Sequence, residues 1–239
     1  MPLVVAALIS AGAASFSVAA SYASSASTDT VTQPQINVDN EIGNLGSGDV
    51  PARLSSARKL GTVRDDKAFL ALTSALKDEK NPLMRPKIVE AIGNSVNPGA
   101  PDALIDIVKN EKDETVRGTA MRALGYTRSG KAAAALLDVF GNENEQDGPR
   151  IAAANALKMQ DPTRTIFDAL VKGMKSKSQQ VGETSVNALA DMYGPLDKDG
   201  TVNALKKLDA GSGRRVRGAA KDRLDKIELK PVNNGNKRQ

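Results

Sequence analysis

A helical signature that returns about every 32 residues is the feature that most limits how this chain can fold. Its clearest copy reads Thr115-Val116-Arg117-Gly118-Thr119-Ala120-Met121-Arg122-Ala123-Leu124-Gly125. Aligning the other copies on Arg117 places anchors at Arg53, Arg85, Arg150, Gly182 and Arg217. Seven residues beyond the anchors stand Leu60, Ile92, Leu124, Leu157, Leu189 and Leu224. Four residues beyond come Ala57, Val89, Met121, Ala154, Val186 and, breaking the pattern in the final copy, Lys221. Offsets of 4 and 7 share one face of an α-helix but fall on opposite faces of a strand. Each copy therefore opens with a helix that carries a narrow apolar stripe.

A second helical run follows each break, at Asp66–Leu76, Pro101–Val108, Lys131–Phe140, Thr165–Val171 and Thr201–Leu208. Pro101 suits the first turn of a helix, where a missing N–H costs nothing. Gly61, Gly93 and Gly125 fall near the expected ends of first helices and are read as C′ glycines. One helix pair cannot bury its own apolar faces, so stacked neighbours must bury them together. Low aromatic content, 3% with no Trp, fits a thin two-layer stack filled by Ala, Leu, Ile and Val. The sixth copy is half a unit. Its helix is polar, with Arg217, Lys221, Asp222, Arg223, Asp225 and Lys226, as a terminal cap requires.

The pattern of Val-Arg, then Ala, then Ala-Leu-Gly, a short loop and a second Ala/Leu-rich run resembles bacterial HEAT repeats. It is most similar to the short HEAT-like type found in phycobilin lyases. Thr115–Gly125 is a near match, while the fourth and fifth copies depart from it: Lys158 and Ala190 replace the glycine and Gly182 the arginine. The resemblance implies an all-α, right-handed α-solenoid of about five to six HEAT-type helix pairs with flexible N- and C-terminal tails. It also implies a protein-binding surface along the second helices on a concave face. It implies no single activity, because one fold serves many functions.

The ends read differently. Residues 3–20 are apolar, small and uncharged, and a Ser-rich stretch follows. This matches the apolar core and cleavage zone of a secretory signal, with Val18-Ala19-Ala20 the best cleavage triplet and Ser21-Tyr22-Ala23 the second. No Lys or Arg precedes the run. A retained membrane anchor is the competing reading. The expected organisation is a signal peptide over 1–20, a Ser/Thr-rich linker over 21–48, the solenoid over 49–227 and a disordered tail over 228–239. An exported chain, periplasmic or secreted, with no membrane insertion after signal removal, follows from that reading.

The sequence has no Cys and no His. That excludes thiol nucleophiles, disulfides, Cys/His zinc sites and His-based acid–base pairs. No cofactor or metal is expected. A net charge of +5 is mild for a nucleic-acid binder, and none is expected as partner. The recurring arginines are read as a structural ladder, with Asp78 and Asp113 upstream of Arg85 and Arg117 as caps and ion-pair partners. Glu143, Glu145 and Asp147 form a solvated acidic loop without EF-hand spacing. The Gly211–Arg217 run, basic through Arg214, Arg215 and Arg217, opens a helix and is an alternative anion site.

The expected function is an exported scaffold, a monomer and not an enzyme, that holds a protein or peptide. The candidate contact residues are non-core positions of the second helices: Lys67, Asp102, Asp106, Lys131, Asp168, Lys172 and Lys207, with Thr73 and Asn203 beside them. Their mixed charge favours specificity over bulk attraction. The alternative is an enzyme or enzyme subunit of lyase-like type.

Overall fold

The computed structural model describes residues 36–208 and 211–228. The expected signal segment, most of the linker and the C-terminal tail lie outside the described residues. Among the described residues there are twelve α-helices and no strand. The first helices of the repeats are α2 (Val50–Leu60), α4 (Arg85–Asn94), α6 (Glu114–Thr127), α8 (Asp147–Leu157), α10 (Gln179–Tyr193) and α12 (Arg214–Glu228). The second helices are α3 (Asp66–Asp78), α5 (Ala100–Asn110), α7 (Gly130–Gly141), α9 (Arg164–Gly173) and α11 (Lys198–Lys206). Helix α1 (Val38–Leu45) packs on α2 and α3 and occupies the place of a second helix ahead of the first pair.

The helices form two layers. First helices pack on one another in order from α2 to α12, and among second helices α1 packs on α3, α5 on α7 and α7 on α9, while α11 rests on α10 and α12. The apolar stripe marks the seam between them. Leu60, Ile92, Leu124, Leu157 and Leu189 are fully buried, as are Ala57, Val89, Met121, Ala154 and Val186. In α12 the stripe weakens as expected of a cap: Leu224 is half-buried and Lys221 exposed, while Val216 and Ala220 hold the helix to the stack.

Starts of helices are set by side chains that accept otherwise unpaired backbone N–H groups. Asp49, Asp65, Asp113, Ser129, Thr163, Ser178 and Asp197 do this for α2, α3, α6, α7, α9, α10 and α11. Pro101 lies in the first turn of α5, where it was expected. Asp78 does not cap: it ends α3, and Met84, at the N-cap of α4, gives no side-chain cap.

Two expectations change. Helix α1 lies inside the stretch read as linker. Asn37 caps it, and Val38, Ile42 and Leu45 pack one face against the core. The Ser/Thr-rich residues before it hid this single short stripe. The glycines also serve a different end. Gly61 is αR at the end of α2, whereas Gly93 and Gly125 lie inside α4 and α6. Their role is close approach: a Cβ would come 2.8 Å from the Ala91 carbonyl at Gly61, 2.6 Å from the Ala123 Cβ at Gly93 and 3.0 Å from the Met159 sulfur at Gly125. Gly182, at the anchor position of the fifth copy, faces Val216 in the same way. An arginine there would displace α12.

Candidate functional site

The second helices bury one stripe and leave the other side in water. In α3, Ala68, Leu72 and Leu76 are buried, while Lys67, Leu70, Ser74 and Lys77 are exposed. The same alternation exposes Asp102 and Asp106 on α5, Lys131 and Asp138 on α7, and Asp168 and Lys172 on α9. Asn203 and Lys207 are exposed at α11 and its C-cap. Thr73 is half-buried, its hydroxyl donating to the Leu70 carbonyl at 2.9 Å.

These residues form a distributed surface, not one pocket. Lys131 reaches Asp102 at 3.1 Å, tying α7 to α5. Lys67 stands 3.8 Å from Asp39 of α1, and Asp168 is engaged by Arg164 of its own helix at 3.0 Å. Asp106 shares a cleft of about 380 Å³ with Thr73, Lys77 and Arg85, between α3 and α5. Lys172 lines a cleft of about 480 Å³ between α7 and α9, whose floor is Arg150. A third cleft of about 450 Å³ lies between α1 and α3 and contains Arg53. One structural theme thus recurs: a cleft between successive second helices, floored by the anchor arginine.

The arginines bind a series of glutamates that sequence reading did not identify. Arg53 donates through Nε to Glu79 at 2.9 Å and through Nη1 to the Ser47 carbonyl at 2.8 Å. Arg85 donates to the Leu76 and Glu79 carbonyls, both at 3.0 Å, and pairs with Glu111. Arg117 pairs with Glu145 at 2.8 Å. Each arginine therefore clasps a carboxylate at or beyond the end of the second helix of its own repeat. Asp113 caps α6 rather than pairing with Arg117, and Asp78 is not Arg85's partner. The available signal was a glutamate 26 residues after Arg53 and Arg85. For Glu111, burial pushes the carboxyl up, but the Asp113 backbone N–H and the Arg85 guanidinium outweigh it and hold it below the usual carboxylate range.

The first-helix side differs in its electrostatics. Arg122 reaches Glu90 at 3.0 Å, Arg215 reaches Glu183 at 2.8 Å, and Asp191 accepts from Lys158 at 2.7 Å and Arg223 at 2.6 Å. These four pairs join neighbouring repeats. The Gly-Arg run belongs to this network. The Arg215 N–H donates to the Gln179 side chain at 3.3 Å, and Arg217 donates to the Ser212 carbonyl. Arg214 is exposed. In the acidic loop, Glu145 serves Arg117 and Asp147 accepts from the Ser178 hydroxyl at 2.6 Å, so two of its three carboxylates have separate structural partners. Among the described residues no helix is long and apolar enough to cross a membrane.

Fold and surface define an α-solenoid of repeated helix pairs. The family model for HEAT repeats matches residues 44–125. Three solved structures are similar. An engineered protein shares 19% identity, covering 81% of this chain and 99% of that chain, with a TM-score of 0.45. A designed armadillo repeat protein shares 18%, covering 80% and 99%, with a TM-score of 0.43. The complex of CpcE and CpcF of phycocyanin lyase from Nostoc sp. PCC7120 shares 19%, covering 82% and 96%, with a TM-score of 0.41. No curated protein matches the chain.

Proposed function

We propose that the chain is a monomeric, exported binding scaffold, not an enzyme, and that it holds a protein or peptide on the second-helix face, the concave face in a HEAT-type stack. One observation carries the reading: exposed second-helix charges at Asp106, Asp138, Lys172 and Lys207 make no ion pair within the described residues, whereas Arg122, Arg215 and Arg223 of the first helices pair across repeats with Glu90, Glu183 and Asp191. Charged groups of mixed sign on a rigid surface give a partner specificity. Exposed Leu70 adds apolar area among them. The lack of Cys and His supports a binding role. Export rests on the apolar run at 3–20.

The test is affinity capture with crosslinking from the envelope fraction, using the full chain. Charge reversal at Asp106 and Asp168 should weaken capture more than reversal at Arg214 and Arg215, with the helical circular dichroism signal unchanged in both. Loss confined to the Arg214/Arg215 variant would move the site to α12. Loss in neither variant would overturn the second-helix assignment.

A further inference from the structure

We propose that the cleft between α7 and α9 is a docking site for a side-chain carboxylate of an acidic peptide segment, received by Arg150 with Lys172, Lys175 and Lys177. The inference rests on the protein-binding reading and assigns its chemistry at one place. Arg150 occupies the same register as Arg53, Arg85 and Arg117, yet among the described residues it alone of the four has no carboxylate partner. Where the others meet Glu79, Glu111 and Glu145, Arg150 meets Ser176, with Nη1 at 3.5 Å from the hydroxyl.

Ser176 occupies the glutamate's place in a second respect. Glu79 accepts the N–H of Asn81 at 2.9 Å and Glu111 that of Asp113 at 3.0 Å. Ser176 likewise accepts the N–H of Ser178, two residues on, at 3.3 Å. The local geometry is retained and only the negative charge is missing.

That charge is needed. Arg150 is 8% exposed, and its Nε donates to the neutral Phe140 carbonyl at 3.1 Å. A guanidinium carries five donors, and a buried cation without a counter-charge is costly. The cleft beside it is the largest of the recurring three, at about 480 Å³. Its walls add Lys172, Lys175 and Lys177 against one acid, Glu143. The equivalent clefts hold their own carboxylates: Asp78 and Glu79 beside Arg53, Asp106 and Glu111 beside Arg85. Phe140, Ala169 and Gly173 make part of the wall apolar, which limits hydration and strengthens an ion pair formed there. A planar carboxylate is the group that the matching arginines already hold, through Nε and Nη2 in the Arg53–Glu79 pair.

The experiment measures fluorescence anisotropy of a labelled, N-acetylated hexaglutamate peptide with the full chain, against hexaglutamine as control. Hexaglutamate should bind and hexaglutamine should not. Ser176→Glu places a carboxylate beside Arg150 and should weaken hexaglutamate binding about tenfold or more, the scale of one charged hydrogen-bonded contact. Its melting temperature should not fall. Asn155→Glu adds the same charge on the exposed first-helix side and should bind nearly as the parent does. Lys172→Ala with Lys175→Ala, which leaves the arginine register intact, should also weaken binding.

Absence of hexaglutamate binding, equal loss in Ser176→Glu and Asn155→Glu, or displacement by an equal concentration of inorganic phosphate would each overturn the proposal. The two readings fail separately. If Asp106 and Asp168 reversal leaves partner capture intact while Ser176→Glu still blocks hexaglutamate, the face assignment falls and the cleft stands. The opposite pattern removes the cleft alone.

Discussion

A methyl group on Gly93 would lie 2.6 Å from the Cβ of Ala123, so α4 and α6 approach closely only because Gly93 has no side chain. Gly93→Ala should therefore destabilise the chain by about 1–3 kcal/mol through overpacking, despite alanine's better helix propensity. Gly118, also helical, has open space around an added Cβ. Gly118→Ala should stabilise by about 0.5–1 kcal/mol. Urea denaturation of both variants checks this. Effects of the same sign would mean that close approach is not what Gly93 provides.

The buried stripe gives a second prediction. Leu124 is fully enclosed in a central repeat, so Leu124→Ala should cost about 2–5 kcal/mol. Leu224 holds the equivalent position in half-exposed α12, and truncation there should cost clearly less. Equal losses in thermal or urea denaturation would show that α12 is packed like an internal repeat.

The Arg85–Glu111 pair predicts an acid dependence. The Glu111 carboxyl is held below its ordinary value of 4.5 in the folded chain. A depressed carboxylate contributes stability that is fully present above that ordinary value and is lost as pH falls through the folded value. Below about pH 4.5 the parent should therefore lose stability more steeply than Glu111→Gln, and their difference should be flat between about pH 6 and 8. A difference that is constant down to acid pH would show that Glu111 titrates alike in both states.

The proposed export fixes where the mature chain begins. Intact-mass measurement of protein from its native envelope should give a start at Ser21 or just after Ala23. A mass that retains residues 1–20 would replace the signal with an anchor.

The first helices were legible because their stripe repeats six times in one register, and a helix is the backbone that puts offsets 4 and 7 on one face. Helix α1 was not, since one eight-residue element carries no repeat and follows a Ser/Thr-rich stretch. Gly61, Gly93 and Gly125 were located correctly, but their purpose was not legible: helix termination and helix contact leave the same residue near the same place. The contact surface was readable only as a set of exposed positions on successive helices. Which charge meets which depends on spacing between helices, so Arg53–Glu79 and Arg117–Glu145 emerged only in three dimensions. Ser176 had no meaning until the glutamates of the other repeats were known.

Among the described residues the cross-links between repeats are all short in sequence. Arg122 reaches back 32 residues to Glu90, Arg223 reaches back 36 and 32 to Asn187 and Asp191, and Gln160 reaches back 36 and 35 to the carbonyls of Leu124 and Gly125. No layer waits for the far terminus. A chain emerging from the ribosome can close each layer once about one more repeat has been made, some seconds of synthesis at about 5–20 residues per second. The growing polypeptide then presents one unfinished apolar stripe at a time, and the polar α12 closes the last of them.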